Sequence, residues 1–355
     1  MSAAVTWEKL VTAGIVRGES PATAAPPMAW YLRALAAVAA WIAAICVLSS
    51  TSILFVRAFD NAVTTLVVGA ALLAIGAWVL ARAKGRVFVA QFGLAFAIAG
   101  EAAIGLGIAR ASEPNHTLAW ALIGAFEAIM LVAIAERTHR ALAALAVGMC
   151  GFGLLARLGP LSLAAPLTTI AFVGAAWAAT RDARSDALWR PASAGFGVAL
   201  LAFAPLADLA HDAVRWWHAP PDTSSRVAAV LMAIAFVAVV ALLCRRLALA
   251  DSRVTRVALL GAIAIAALAY PVPGLLAALI VMLVAFDTGR PALTGLGIAT
   301  AIGMLGYYYF SLATTLFAKS VSLAAVGIVL MGVGAALRRV ARASEGQASE
   351  ARRHA

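Results

Sequence analysis

An all-α, polytopic bundle of transmembrane helices, about 12 spans with both termini cytoplasmic, is the fold class this sequence predicts. Three observations lead there. Hydrophobic residues make up 64% and charged residues 12% of the 355-residue chain, whereas soluble domains carry about a quarter charged residues. The apolar residues fall in blocks of about 16 to 25 separated by short charged turns, which is the length of membrane-crossing helices and lacks the period-two alternation of barrel strands. With the N-terminus inside, 21 of the 27 Lys and Arg residues lie on the cytoplasmic side. The other six, Arg57, Arg110, Arg157, Arg215, Arg226 and Lys319, lie outside. That asymmetry is the positive-inside pattern, and it favours an even number of spans.

Residues 1–29 are read as a cytoplasmic tail. In it Val5, Trp7, Leu10, Val11 and Ile15 line one side of a short helix that rests on the bilayer surface. RGESPATAAPP then forms a flexible connection. No cleavable signal peptide is visible, because this stretch is polar and the first apolar block is long. The bundle occupies residues 30–338. Its spans are placed at 34–56, 62–81, 87–109, 117–135, 141–158, 160–180, 192–211, 226–244, 254–270, 272–288, 292–311 and 320–337. The second and third part at the basic turn of Arg82, Lys84 and Arg86, the third and fourth at RASEPNH, the eighth and ninth at Arg245, Arg246, Arg253 and Arg256. The ninth and tenth meet at Tyr270-Pro271-Val272-Pro273. A proline pair cannot continue a helix, so these blocks are either two short spans or one broken, re-entrant element. Residues 339–355 form a charged, disordered cytoplasmic tail.

Several function classes are excluded or left without support. The net charge of +11 does not indicate nucleic-acid binding, because the basic residues sit at span ends and form no single stripe. Cys46, Cys150 and Cys244 lie in or at the end of apolar blocks, so they read as packing residues and not as a disulfide framework or metal pair. No HExxH, GxSxG or Walker A motif marks an enzyme, and GFGLLA at 151–156 lacks the preceding strand of a dinucleotide site. No cofactor or metal is expected. GLGIA occurs at 105–109 and again at 295–299. In so alanine- and glycine-rich a chain it reads as small residues that let helices approach closely.

Chemistry is sought first at Glu101 and Glu127, one in each of two adjacent spans. Glu101 lies nine residues before Arg110 and Glu127 ten after Thr117, so at about 1.5 Å per residue they reach a similar depth. A carboxylate there costs about 3 kcal/mol, faces the bundle interior or a wet cavity, and often marks a proton or ion path. Two neighbouring carboxylates would share a proton. The plainer reading is a neutral acid bonded to a backbone carbonyl or to Gln91. A second group, Asp208, His211 and Asp212, stands at i, i+3 and i+4. It matches no zinc signature and reads as a solvated outer loop anchored by Trp216 and Trp217. The third is an outer rim of Tyr307, Tyr308, Tyr309 and Lys319, either an aromatic belt or the polar mouth of a cavity.

Tyr307, Tyr308, Tyr309, Leu312, Thr315, Leu316, Lys319 and Ser320 together resemble the C-terminal signature of the membrane family known as domain of unknown function 4401. Trp30-Tyr31, Trp41 and Gln91-Phe92 with the following Ala-Gly-Glu extend the resemblance over nearly the whole chain after the tail. It implies a multi-pass protein of the bacterial inner membrane, accompanied by another multi-span protein and a small protein with a GDYxxLxY motif. It also implies a glutamine where this chain has Glu101, and that difference weakens the proton-relay reading. The leading expectation is a transporter or lipid-handling protein with a polar intramembrane site. The alternative is a non-catalytic subunit or scaffold of an envelope complex.

Overall fold

The computed structural model describes residues 11–14, 29–54, 61–83, 85–216, 223–247, 252–270 and 272–311, with scattered positions between Phe317 and Ala335. Among the described residues run eleven α-helices: α1 (Trp30–Leu54), α2 (Ala62–Arg82), α3 (Val87–Ala111), α4 (His116–Ala133), α5 (Arg137–Leu158), α6 (Ala164–Ala178), α7 (Ala183–Trp216), α8 (Thr223–Arg246), α9 (Ser252–Ala269), α10 (Pro273–Asp287) and α11 (Pro291–Ser311). The fold is all-α. Eight helical stretches are long and apolar enough to cross a membrane. Pro273–Asp287 and Pro291–Tyr307 are apolar but shorter. The surface helix expected before residue 16 lies outside the described residues except for Val11–Gly14, the bounds of the block at 320–337 lie outside them, and so does the tail from 339.

The chain divides into two compact units. The first comprises Met1–Asp60 and Val68–Gly100. Its core is small: Ala44, Ala95 and Phe96, flanked by Trp41, Leu48, Leu72 and Phe92. Phe88, Phe92 and Phe96 recur at four-residue spacing along α3, so their rings stack one above the next. Gly76 and Gly100 bring backbones together, since a Cβ on Gly76 would collide with Ala97 and one on Gly100 with Leu73.

The second unit comprises Asn61–Val67 and Glu101–Ala355. Helices α4 and α5 form an antiparallel hairpin, and α7 packs against both α5 and α6. Helix α10 sits at the centre, touching α6, α7, α8 and α11. Its residues Leu276, Ala277, Ala278, Ile280, Val281, Val284 and Ala285 are wholly buried. Leu275, Leu279 and Met282 on its remaining side are half-buried and Phe286 at its end is exposed, as an apolar helix without a polar face permits. Pro273 is the first residue of α10 and Val272 its cap. A proline at that position has no N–H to leave unpaired. Helix α9 thus ends at Ala269 and a separate helix starts at Pro273.

Helix α7 departs most from the expected bounds of 192–211. It starts at Ala183, runs 34 residues and contains Pro191 and Pro205. Asp182 caps its start, accepting the Ser185 backbone N–H at 2.7 Å. The charged stretch before residue 191 ends the apolar block and not the helix, because a helix leaving a bilayer keeps its own hydrogen bonds.

Candidate functional site

The most polar place in the interior lies where α3, α4 and α5 meet. Glu101 is 8% exposed, Glu127 7% and His139 0%, so none of the three has bulk water to solvate a charge. Local sequence sets each in place. Asn115 caps α4 by accepting the Leu118 N–H at 3.0 Å, which starts the helix carrying Glu127. Glu136 caps α5, its Oε2 accepting the His139 backbone N–H at 2.6 Å. That cap fixes the first turn of α5 and with it the base of the imidazole. Two residues further along α5, a Cβ at Gly195 would collide with the carbonyl oxygen of Ala141. Only glycine lets α7 close on α5 there.

His139 Nε2 and Glu101 Oε1 stand 2.6 Å apart, within hydrogen-bond distance. When Glu101 is ionised the imidazole N–H donates to it; when the acid is protonated its O–H donates to the imidazole. Glu127 lies within electrostatic range of both Glu101 and His139. His139 Nδ1 is buried and has no hydrogen-bond partner among the described residues. The three side chains do not converge as a metal-ligand set, and no such set of His, Cys, Asp or Glu exists among the described residues.

The other expected site residues lie elsewhere. Gln91 accepts a hydrogen bond from Trp41 Nε1 at 3.1 Å and is engaged there within the first unit. Tyr307 and Tyr309 are half-buried near the end of α11, with Tyr309 edge-on to Phe310 at 5.4 Å. Helix α11 packs on α10 and α7. The Tyr308 side chain, Lys319, and the side chains of Asp208, His211 and Asp212 lie outside the described residues. His139 is the residue that sequence reasoning missed. It stands between Arg137 and Arg140 and reads as part of an inner loop, although it is the third residue of α5. The available signal was its place beside an apolar block facing the span of Glu127.

An all-helical fold with eight membrane-length apolar stretches and a carboxylate–imidazole contact buried among them defines a polytopic membrane protein. The chain belongs to the family described as a domain of unknown function, DUF4401, whose model matches residues 29–340. No curated protein and no solved structure matches it.

Proposed function

We propose that the chain is a proton-coupled transporter of a bacterial inner membrane, threaded about twelve times with both termini in the cytoplasm. One observation carries the reading: the Glu101–His139 contact, buried and within range of Glu127. A pair held only for stability gains little from burial, since desolvating two ionisable groups offsets most of their attraction. A pair that exchanges a proton needs that enclosure, because water would short-circuit the path.

Reconstitution of the purified chain into liposomes with a pH-sensitive dye inside tests this. Under an imposed membrane potential the wild type acidifies the lumen, whereas Glu101→Gln and His139→Gln, which keep hydrogen-bonding side chains but cannot relay the proton, do not. Proton flux unchanged in both variants would rule the reading out.

The subunit reading keeps one observation in its favour. Only 11% of the apolar window of α1 is buried, and Leu35, Val38, Ile42 and Ile45 are exposed along it. A companion multi-span protein, or a small GDYxxLxY-motif protein, would cover that face. A partner that co-purifies in fixed ratio and is needed for stability, together with proton-tight liposomes, would favour it.

A further inference from the structure

A cavity of about 270 Å³ opens in the second unit, lined by Arg137, Asp186, Arg190, Pro191, Ala194 and Arg290. Three arginines face one aspartate. The sequence scatters them over 154 positions, but the fold collects them because α5, α7 and α11 all begin here: Arg137 is the first residue of α5, Asp186 and Arg190 occupy the opening turns of α7, and Arg290 directly precedes α11.

The site is built, not merely crowded. At the α10–α11 turn Gly289 adopts a φ of 66°, the left-handed conformation in which glycine closes a helix end. The turn delivers Arg290 toward α7, where its guanidinium donates to the hydroxyl of Ser193. Ser193 is buried and donates in turn to the Arg190 carbonyl at 2.9 Å. Arg290 is thus held by one edge, while its Nε is buried without a hydrogen-bond partner among the described residues. Asp186 offsets little of this charge: it reaches Arg190 at 3.7 Å through side chains that are substantially exposed. Burial, and then the neighbouring Arg190, push the Arg290 guanidinium below its ordinary pKa, with Asp186 opposing. Three guanidinium groups thus line the cavity against one carboxylate.

We propose that this cavity binds a phosphate group, with Arg290 and Arg190 as its principal ligands and Arg137 closing over it. Guanidinium forks match phosphate oxygens in pairs. The volume lies below that of drug-sized pockets and suits a headgroup or a small anion. The turns that form it carry cytoplasmic-side arginines in the positive-inside threading, so two sources of the same chemistry reach it: the phosphate of an anionic phospholipid headgroup, or a free phosphate in the cytoplasm.

The test uses the full-length chain in neutral detergent, titrated separately with inorganic phosphate, with short-chain phosphatidylglycerol and with short-chain phosphatidylcholine, reading saturable shifts in melting temperature. Wild type is expected to saturate with phosphate or with phosphatidylglycerol. Phosphate saturation identifies a soluble ligand, and phosphatidylglycerol saturation without it identifies a lipid headgroup. Arg190→Gln and Arg290→Gln should each weaken binding by roughly tenfold, the loss of one charge-assisted contact. If Arg290→Gln does not fold, Arg137→Gln, an exposed change, should still weaken binding several-fold. Arg157→Gln, at the other end of α5, should bind as wild type does. The proposal is overturned if neither anion saturates, if phosphatidylcholine matches phosphatidylglycerol, or if the cavity variants bind as tightly as wild type.

Discussion

Glu101 and His139 are 38 residues apart in sequence and 2.6 Å apart across the α3–α5 contact. The imidazole is fully enclosed, so removing either partner leaves the other without water to replace it. His139→Ala should therefore destabilise the fold by about 3 kcal/mol, as expected when one member of a buried pair is lost. Glu101→Gln should cost less, because its amide still donates to Nε2. Unfolding in mixed detergent micelles, run as a double-mutant cycle, should return a coupling of about 1.5–3 kcal/mol. Additive single effects would show that the two side chains are neighbours and not partners.

Gly195 brings α7 against the backbone of α5 near its start. An added Cβ would meet the Ala141 carbonyl, the Ala144 methyl and the Leu145 backbone. Two of these are backbone atoms of a regular helix, which cannot turn aside. Gly195→Ala is expected to cost about 1–3 kcal/mol, the usual range for overpacking. Gly151, with nothing near the place of its Cβ, should accept alanine with little change or a small gain from helix propensity. Thermal melting in detergent compares the two, and equal melting temperatures would refute the close-packing role of Gly195.

What the sequence made legible was one-dimensional. The apolar blocks between residues 34 and 311 correspond to helices α1 to α11, because length and hydropathy are local properties. The proline pair located the break before α10, because proline acts on its own turn. The early start of α7 was missed because charge was read as the end of a helix when it marks only the end of an apolar run. His139 and the arginine cavity were illegible for a different reason. Each depends on side chains that chain distance keeps apart, and a single arginine per turn looks the same whether it is solvated or gathered with others. Gln91 shows the converse. It reads as a polar residue available to the carboxylates, yet the Trp41 indole takes its carbonyl oxygen.

The start of α7 carries a pH response. Asp182 accepts the Ser185 backbone N–H and, at 3.1 Å, the Ser185 hydroxyl. The backbone bond first and the hydroxyl second hold its carboxyl below the usual aspartate pKa. A folded-state pKa below the unfolded one means that the cap's contribution is full above the unfolded value and is lost as pH falls through the folded value. Amide exchange in the first turn of α7 should accelerate over that acid range. Asp182→Asn caps without titrating and should remove the dependence. An asparagine variant with the same acid response would locate the titrating group elsewhere.

Arg246 closes the end of α8 over its neighbours. Its Nη2 donates to Thr180 Oγ1 at 3.2 Å, its Nε lies 3.9 Å from Asp287 Oδ2, and its guanidinium carbon is 5.8 Å from the Trp177 ring centroid. The side chain is 36% exposed, so solvent screens the ion pair and the planar fork matters more than the charge. Arg246→Lys should cost about 1 kcal/mol, most of the loss seen for Arg246→Ala. A lysine variant as stable as wild type would assign the role to charge alone.

Cysteine environments provide a direct test of which helix faces meet lipid. Cys46 is exposed on α1, whereas Cys150 and Cys244 are buried. It sits between Ile45 and Val47, both of which are also exposed. In a soluble protein such a face would be an aggregation hazard; against acyl chains it costs nothing. A nitroxide attached at Cys46 in detergent, with the protein then returned to bilayers, should collide far more often with oxygen, which dissolves in hydrocarbon, than with a water-soluble nickel chelate. Cys150 and Cys244 should stay unlabelled while the protein is folded, since a buried thiol rarely presents its reactive thiolate. Collisions dominated by nickel would mean that this face of α1 meets water or a hydrated partner, and its exposed apolar surface would then need another explanation than lipid.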